Sequence, residues 1–241
     1  MRIRVVSWNV DSRPTGLLDA KLDLLRRLRP DLALLQEISR PIYRALLPHP
    51  SAHERMHRKT RIFAWGALST DVSDPRGSDY RLGCAVLGVA TTALLDARVL
   101  DKAPFDVPGP ARPGLLWRTL AARVALSTGE LLTAGSCYGR PRAGPPAAVQ
   151  QAFHTGIAGW LAEAAGPVVF GIDAGAPPGG GDPLFGPDPG HDLIGVLPGT
   201  QGQLWTTRDL RVLDVGCLVE EATAAGSEHP LLLADLSLRD P

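Results

Sequence analysis

The amino-acid sequence predicts an α/β protein in which two mixed β-sheets pack face to face, with helices on both outer faces. Short apolar runs of strand length recur along the whole chain, and amphipathic helical patterns interrupt them. Strands and helices in such a mixed order are typical of layered folds, because each sheet buries one face against the next layer. No internal change in composition divides the chain, so we expect a single domain over residues 1–241.

The amino-terminal part of the chain is predicted to alternate strands and helices. The predicted elements are, in order, a strand at Ile3–Trp8, a helix that opens near Thr15 or Gly16 and ends before Pro30, a strand at Leu32–Gln36, and a short helix near Ile42–Leu47. Leucines at helical spacing give the longer helix one apolar face, and charged residues such as Lys21 are expected mostly off that face.

Strands dominate the rest of the sequence. The remaining predicted strands are Arg61–Leu68, Gly83–Val89, Ala93–Leu100, Leu115–Leu126, Glu130–Tyr138, Val168–Phe170, Arg211–Leu218 and Pro230–Leu238. Turn residues bound each of these apolar runs. A second strong helix is predicted after Pro146, with Val149, Phe153 and Ile157 on one face, and a long loop rich in glycine and proline covers Ala174–Gly190.

Composition and charge argue against several classes of function. The chain is 44% hydrophobic and 21% charged, as soluble globular proteins are, and its formal net charge of zero gives no global attraction to nucleic acid or membrane. It shows no signal peptide and no apolar run near the length of about 20 residues that spans a bilayer, so we expect a soluble cytoplasmic protein. Cys84, Cys137 and Cys217 have no disulfide or zinc spacing and are predicted to be core residues.

Polar side chains follow several predicted strands at the point where each strand ends. Asn9 and Asp11 follow the first strand, and Glu37 follows the second. Carboxylate and amide oxygens are the ligands that hard cations such as Mg²⁺ prefer, so these residues predict a metal site. Further strand ends carry Tyr138, Asp173, Asp214, Glu228 and His229. Acids gathered at one edge repel each other unless a cation lies between them, whereas each acid alone fits a solvated loop residue or a helix cap equally well.

The segments that carry these residues resemble, in chain order, those of the endonuclease/exonuclease/phosphatase family, which includes deoxyribonuclease I and the exonuclease III-type AP endonucleases. Arg4–Asp11 resembles the first strand of the family with its Trp-Asn-x-Asp, and Arg29–Glu37 resembles the segment RPDIlxLQE. Val168–Asp173 resembles the strand before the Gly-Asp-x-Asn of the family, and Arg211–Leu218 resembles the strand with a buried Asp. Ser227–Pro230 resembles the terminal Ser-Asp-His.

This resemblance implies a four-layered α/β sandwich and metal-assisted hydrolysis of a phosphoester. It implies that Glu37 ligates Mg²⁺, or Mn²⁺ in its place, with Asn9, Asp11 and Glu228 as the other residues of the metal site. The implied partner is a phosphoester substrate, which is a nucleic acid, a phospholipid headgroup or a small phosphate ester. A metal ion suits this chemistry because it neutralises the charge of the phosphate and stabilises the leaving oxygen.

The resemblance also implies catalytic roles. Asp173 is expected to orient or deprotonate the attacking water. His229 is expected to bind the scissile phosphate or to act as an acid or base, held by Asp214, because a carboxylate fixes the tautomer of its histidine partner. Tyr138 falls where AP endonucleases carry a tyrosine that contacts the phosphate.

Three arginines are candidates to bind substrate phosphates, because they follow strand ends that should line the cleft. They are Arg13, Arg140 and Arg142, and solvated loop arginines are an equally good interpretation.

Three positions depart from the family's pattern, and one of them is Tyr138, which stands where other branches of the family carry a His. The Asp-x-Asn of the family reads Asp173-Ala174-Gly175, and Glu228 stands in the place of the Asp before the last His. The departures at Gly175 and Glu228 favour an alternative, in which the chain is a catalytically impaired member that acts as a binding protein.

A remote alternative is a zinc metallopeptidase, because His53-Glu54-Arg55-Met56-His57 matches H-E-x-x-H. In that pattern His53 and His57 would ligate zinc and Glu54 would activate water. Prolines just before the segment and its many basic residues argue against the buried helix that this chemistry needs.

Overall fold

A computed structural model describes residues 1–11, 17–47, 62–69, 83–99, 119–138, 164, 166–173, 193–195 and 202–239. Its elements are β1 (Arg2–Asn9), α1 (Leu18–Leu28), β2 (Leu32–Ile38), α2 (Arg40–Leu46), β3 (Trp65–Leu68), β4 (Gly83–Gly88), β5 (Thr92–Val99), β6 (Thr119–Leu126), β7 (Leu131–Tyr138), β8 (Val168–Asp173), β9 (Leu193–Gly195), β10 (Gly202–Thr207), β11 (Leu210–Leu218), α3 (Val219–Ala224) and β12 (Leu231–Leu238). The helix predicted after Pro146 and the loop predicted at Ala174–Gly190 lie outside the described residues.

The described strands form two packed six-stranded sheets, which confirms the predicted fold class. The first sheet has the order β11-β12-β1-β2-β4-β3, and the second has the order β5-β6-β7-β8-β10-β9. Both sheets are mixed, because β1 runs parallel to β2 and β7 runs parallel to β8, while the other described pairs are antiparallel. In the part of the chain that the structure describes, no helix is long and apolar enough to cross a bilayer.

The described helices cover the outer face of the first sheet. Leu22 and Leu25 of α1 and Ile42 of α2 are buried in one cluster with Trp8 and Leu35 from the outward positions of β1 and β2. Burying a side chain of this size contributes about 1.5–3 kcal/mol relative to leaving it exposed. The helices therefore hold the first sheet from outside and leave its inner face to meet the second sheet.

The core between the sheets changes from apolar to polar along the central strands. Successive side chains of a strand point to opposite faces, so Val5, Ser7 and Asn9 share the inner face of β1. In β8, the inner positions are likewise Val169 and then Asp173 at the strand end. Both sheets thus supply an apolar core at the amino ends of these strands and polar groups at their carboxyl ends.

A buried amide joins the two sheets where this change begins. Gln36 donates from Nε2 to the Oγ of Ser136 at 3.1 Å and to the carbonyl of Leu34 at 3.0 Å. The hydroxyl of Ser136 in turn donates to the carbonyl of Leu35 across the sheets at 2.8 Å. These buried polar groups are hydrogen-bonded, so they hold the two sheets in one relative position without leaving a buried donor unsatisfied.

Gly171 lets the sheets approach this closely. A Cβ at position 171 would lie 2.3 Å from the Oγ of Ser7, 2.7 Å from its Cβ, and 3.1 Å from the Cβ of Leu34. We expect Gly171→Ala to lower the free energy of unfolding by about 1–3 kcal/mol, because two Cβ atoms fixed to backbone must move apart. Urea unfolding followed by circular dichroism measures the change.

The matched control is Gly216→Ala on β11, where an added Cβ meets no described atom within 4 Å. That variant should be neutral or slightly stabilised, because alanine restricts the unfolded chain more than glycine does. Equal midpoints and slopes for the two variants would contradict the close approach of the sheets at Gly171.

An ion cluster lies at the opposite, amino end of β1. Arg4 donates to both carboxylate oxygens of Asp235, at 2.9 and 3.1 Å, and Arg2 also donates to Asp235. The side chain of Asp235 is 2% exposed. The hydrogen bonds from Arg4, together with those from Arg2, lower the pKa of Asp235 to about 2, although burial acts in the opposite direction.

We expect this cluster to make stability depend on acid pH. Because the folded pKa of about 2 lies below the ordinary value of 3.8, the contribution is complete above that value and is lost as pH falls toward 2. Asp235→Asn should therefore be clearly less stable than the wild type at neutral pH, with a difference that shrinks in acid. Asp96→Asn, which removes an exposed pair with Arg98, is the control and should change little at any pH.

Two features differ from the sequence-based expectation. Cys84 and Cys137 are buried as predicted, but Cys217 is exposed, because β11 is the edge strand of its sheet and most of its residues face solvent. The strands β9 and β10 were not predicted, and they form one edge of the second sheet.

Candidate functional site

The carboxyl ends of β1 and β8 meet across the two sheets. Asn9 donates from Nδ2 to the Oδ2 of Asp173 at 2.5 Å, and the two residues are 2% and 1% exposed. They are 164 positions apart in the chain. The inner-face alternation of both strands brings them together, since each is the last inward side chain of its strand.

His229 lies against the same carboxylate. Its Nδ1 is 3.3 Å from the Oδ2 of Asp173, and its side chain is 21% exposed. The two groups are at ion-pair distance without hydrogen-bond geometry, and Nδ1 has no hydrogen-bond partner among the described residues. The imidazole therefore has one nitrogen on a buried carboxylate and remains partly open to solvent.

The bend that carries His229 is tied to the end of β1. The hydroxyl of Ser227 donates to the carbonyl of Asn9 at 2.7 Å and accepts from the backbone N–H of His229 at 3.1 Å. The indole of Trp8 donates to the carbonyl of His229 at 3.3 Å. Two of these hydrogen bonds join the histidine bend to β1, the strand that supplies Asn9, and the third lies within the bend.

The amide of Asn9 has a fixed orientation. The backbone N–H of Asp11 donates to the Oδ1 of Asn9 at 3.0 Å, so the Nδ2 must face the other way, toward Asp173. An amide held at both ends orients the carboxylate it binds. The side chain of Asp173 is consequently presented to the site in one geometry.

Two acids at the site have left-handed backbone conformations. Asp11 has φ 40° and Glu37 has φ 50°, and both are buried. Among the described non-glycine residues the other positive φ belongs to Arg29, which caps the carboxyl end of α1. Such conformations cost about 1–3 kcal/mol each and cluster at functional sites.

A β-bulge decides where Glu37 lies. The register between β2 and β4 shifts between Leu35 and Ile38, and both of these residues belong to the outer cluster under the helices. Strict alternation would put Glu37 on that outer face beside Leu35. The bulge puts two residues, Gln36 and Glu37, between the outward-facing Leu35 and Ile38. Glu37 is therefore released from the outer face. It lies next to the inward-facing Gln36 and is 6% exposed.

The donor set fits an open magnesium-type site better than a closed metal cage. No three His, Cys, Asp or Glu side chains in the described ranges are arranged to hold an ion on their own. Mg²⁺ in enzymes is held by one or two carboxylates, with water and substrate phosphate as the other ligands. Glu37, with Asp11 and Asn9 at the neighbouring strand end, can supply that number of oxygen ligands.

Tyr138 lies at the same edge of the second sheet. It pairs with Asp173 in the parallel register of β7 and β8, and it packs partly buried against the core between the sheets. Neighbouring residues in register share a face, so its ring stands beside Asp173.

Asp214 is not brought to this site. It pairs with Asp235 in the register of β11 and β12, whereas the site end of β12 is at Leu231, about 13 Å away at roughly 3.3 Å per residue. Its carboxylate is exposed, and its charge adds to the larger effect of the hydrogen bonds with Asp235, which raise the pKa values of Arg2 and Arg4. This placement corrects the expectation that Asp214 holds His229, because the carboxylate at His229 is Asp173.

Other predicted residues are exposed or undescribed. Glu228 is exposed in the bend beside His229. The substrate arginines and the H-E-x-x-H segment lie outside the described residues, which leaves Arg13, Arg140, Arg142, His53, Glu54 and His57 as predictions.

The prediction that Lys21 lies off the apolar face of its helix is wrong. Lys21 is 1% exposed, and its ammonium donates to the carbonyl of Asp11 at 2.6 Å. Burial lowers the pKa of Lys21, and the nearby charge of Asp11 raises it. The signal was in the sequence, since Lys21 stands three residues after Leu18 and four before Leu25, within the apolar stripe.

Comparison with known proteins supports the fold. No protein-family model and no curated protein sequence matches this chain. A structure of the endonuclease/exonuclease/phosphatase from Bacteroides vulgatus matches with a TM-score of 0.69 at 14% identity, covering 99% of this chain and 100% of that one. The human nocturnin catalytic domain with bound sulfate matches with a TM-score of 0.68 at 14% identity, covering 99% and 95%.

A third match is ANGEL2, a 2',3'-cyclic phosphatase, in complex with adenosine-2',3'-vanadate. Its TM-score is 0.61 at 15% identity, and the match covers 99% of this chain and 96% of that one. Together with the order of the strands in the two packed sheets, these similarities show that the chain has the endonuclease/exonuclease/phosphatase fold.

Proposed function

We propose that this protein is a divalent-metal-dependent phosphoester hydrolase. The observation that carries the proposal is the contact of Asn9, Asp173 and His229 across the two sheets. A buried carboxylate that is oriented by an amide and faces an imidazole is an arrangement suited to proton transfer. It stands beside the strand end of Glu37, which the donor set favours as a metal ligand.

In this proposal each residue has a defined task. Asp173 accepts a proton from the attacking water, and Asn9 keeps its carboxylate in position. The Nδ1 of His229 lies 3.3 Å from Asp173, so its Nε2 is on the opposite side of the ring, where the doubly protonated imidazole would donate to a phosphate oxygen. Glu37, with Asp11 and Asn9, would hold Mg²⁺ or Mn²⁺, and the bound ion would neutralise phosphate charge and stabilise the leaving oxygen.

The substrate class rests on similar folds. One similar structure holds sulfate and another holds adenosine-2',3'-vanadate, and both ligands are tetrahedral or phosphate-like anions. We infer that the partner is a phosphoester, with a nucleic acid or nucleotide favoured over a phospholipid headgroup or another small phosphate ester. Tyr138, beside Asp173, is placed to contact that phosphate.

A substrate panel tests the proposal. Purified protein is assayed with bis(p-nitrophenyl) phosphate, p-nitrophenyl phosphate, adenosine 2',3'-cyclic phosphate and a single-stranded oligonucleotide, with Mg²⁺, Mn²⁺ or EDTA. We expect hydrolysis of at least one substrate that EDTA abolishes and added metal restores. Turnover no higher than that of Glu37→Ala on every substrate would refute the proposal.

The second candidate is a binding protein with the same cleft. The sequence Asp173-Ala174-Gly175, which lacks the family's Asn, favours it. Isothermal titration separates the two functions, since a binder without chemistry should bind a non-hydrolysable phosphonate analogue but show no turnover and little stabilisation by Mg²⁺.

A further inference from the structure

Lys21 is a buried cation whose position the fold does not require. It stands in the apolar stripe of α1, between the helix and the first sheet, where a leucine or methionine would pack at lower cost. Burying an ammonium group is expensive unless its hydrogen bonds are met. Its donation to the carbonyl of Asp11 at 2.6 Å is therefore a specific contact rather than an accident of packing.

That contact lies at the start of a chain of hydrogen bonds into the site. The carbonyl of Asp11 accepts from Lys21, and the backbone N–H of Asp11 donates to the Oδ1 of Asn9. The amide of Asn9 then donates to Asp173, which faces His229. Asp11, in the middle of this series of hydrogen bonds, has a strained backbone with φ 40°. A hydrogen bond at its carbonyl is a direct way to hold that conformation.

We propose that Lys21 is a positioning residue of the active site. By holding the backbone of Asp11 it fixes the amide of Asn9, and through that amide it fixes Asp173. The expected effect of Lys21 on catalysis rests on the proposed function, whereas its effect on the orientation of Asn9 does not.

The sequence offers an unusually clean probe, because Asn9 is the only asparagine in the chain. Protein labelled with ¹⁵Nδ2-asparagine gives one side-chain amide pair in a ¹H–¹⁵N spectrum. In the wild type, the proton bonded to Asp173 should be shifted downfield and protected from solvent exchange. In Lys21→Met, both features should be lost, with the peaks moving toward the values of a free amide.

Leu25→Ala is the matched control. Leu25 is 1% exposed on the same helix and packs in the outer cluster. The control should lower thermal stability and leave the Asn9 amide peaks where they are in the wild type. If circular dichroism shows that Lys21→Met does not fold, Lys21→Gln, which also removes the charge and shortens the side chain, carries the same test.

Kinetics adds a second readout on any substrate that the panel identifies. Lys21→Met should lower kcat roughly 10–100-fold with little change in KM, because a misplaced catalytic carboxylate slows chemistry more than binding. Leu25→Ala should keep kcat. An Asn9 amide spectrum that is unchanged in Lys21→Met would overturn the positioning role, and this result is independent of whether the wild type hydrolyses any phosphoester.

Discussion

Asp173→Asn is expected to lower kcat of the metal-dependent hydrolysis by roughly 10²–10⁴-fold, the range of a lost general base. The substitution keeps the volume of the side chain but removes its capacity to take a proton. It also replaces one carboxylate oxygen with an NH₂ group and removes the negative charge. The Nδ2 of Asn9 therefore loses a charged acceptor at 2.5 Å. Initial rates at saturating substrate and metal, on protein whose fold is checked by circular dichroism, measure the effect.

The control for this variant is Asp235→Asn. Asp235 is an equally buried aspartate with hydrogen-bonded partners, but it lies at the opposite end of β1 and β12. We expect it to lose stability at neutral pH and to keep its kcat within a few-fold. A kcat for Asp173→Asn that stays close to the wild-type value would remove Asp173 from the chemistry.

Glu37→Ala is expected to abolish the response of the protein to divalent metal. The wild type should gain thermal stability as Mg²⁺ or Mn²⁺ is added, because a ligand that binds only the folded state stabilises it by mass action. The variant should show no such gain, and its kcat should fall at least about 10²-fold, since a metal ion contributes several kcal/mol of transition-state stabilisation.

Glu130→Ala supplies the comparison. Glu130 is exposed in the turn between β6 and β7, at the end of β7 remote from Tyr138. Its removal should leave both the metal-dependent shift in melting temperature and kcat unchanged. A Glu37→Ala protein that is still stabilised by metal to the wild-type extent would place the ion elsewhere.

Local sequence signals were sufficient for most strands and for the polar groups at their ends. Apolar runs predict β1, β2 and β8, and Asn9 and Asp173 end two of them. The contact between Asn9 and Asp173 could not be derived from the strands alone, since it depends on which strands are neighbours and how the two sheets face each other. The resemblance to a known family implies that these groups share one site, but it does not imply this contact.

Two features of the structure could not be derived from local sequence patterns. Alternation alone would put Glu37 on the outer face of β2, and the bulge against β4 releases it from that face. Asp214 stands in a segment that resembles a catalytic strand, but the register of β11 against β12 carries it to the ion cluster with Asp235. Lys21 is a different case. Its helical spacing indicates a position on the buried stripe, but its charge argues against burial.

The polar groups between the two sheets determine when the candidate site can form as the protein is synthesised and folds. Neither sheet holds the candidate site on its own, since Asn9 comes from one sheet and Asp173 from the other, 164 residues later in the chain. Pairings so distant in sequence form slowly and late. The first sheet also needs β11 and β12 from the end of the chain, so the contact between Asn9 and Asp173 can settle only after nearly the whole chain has been made.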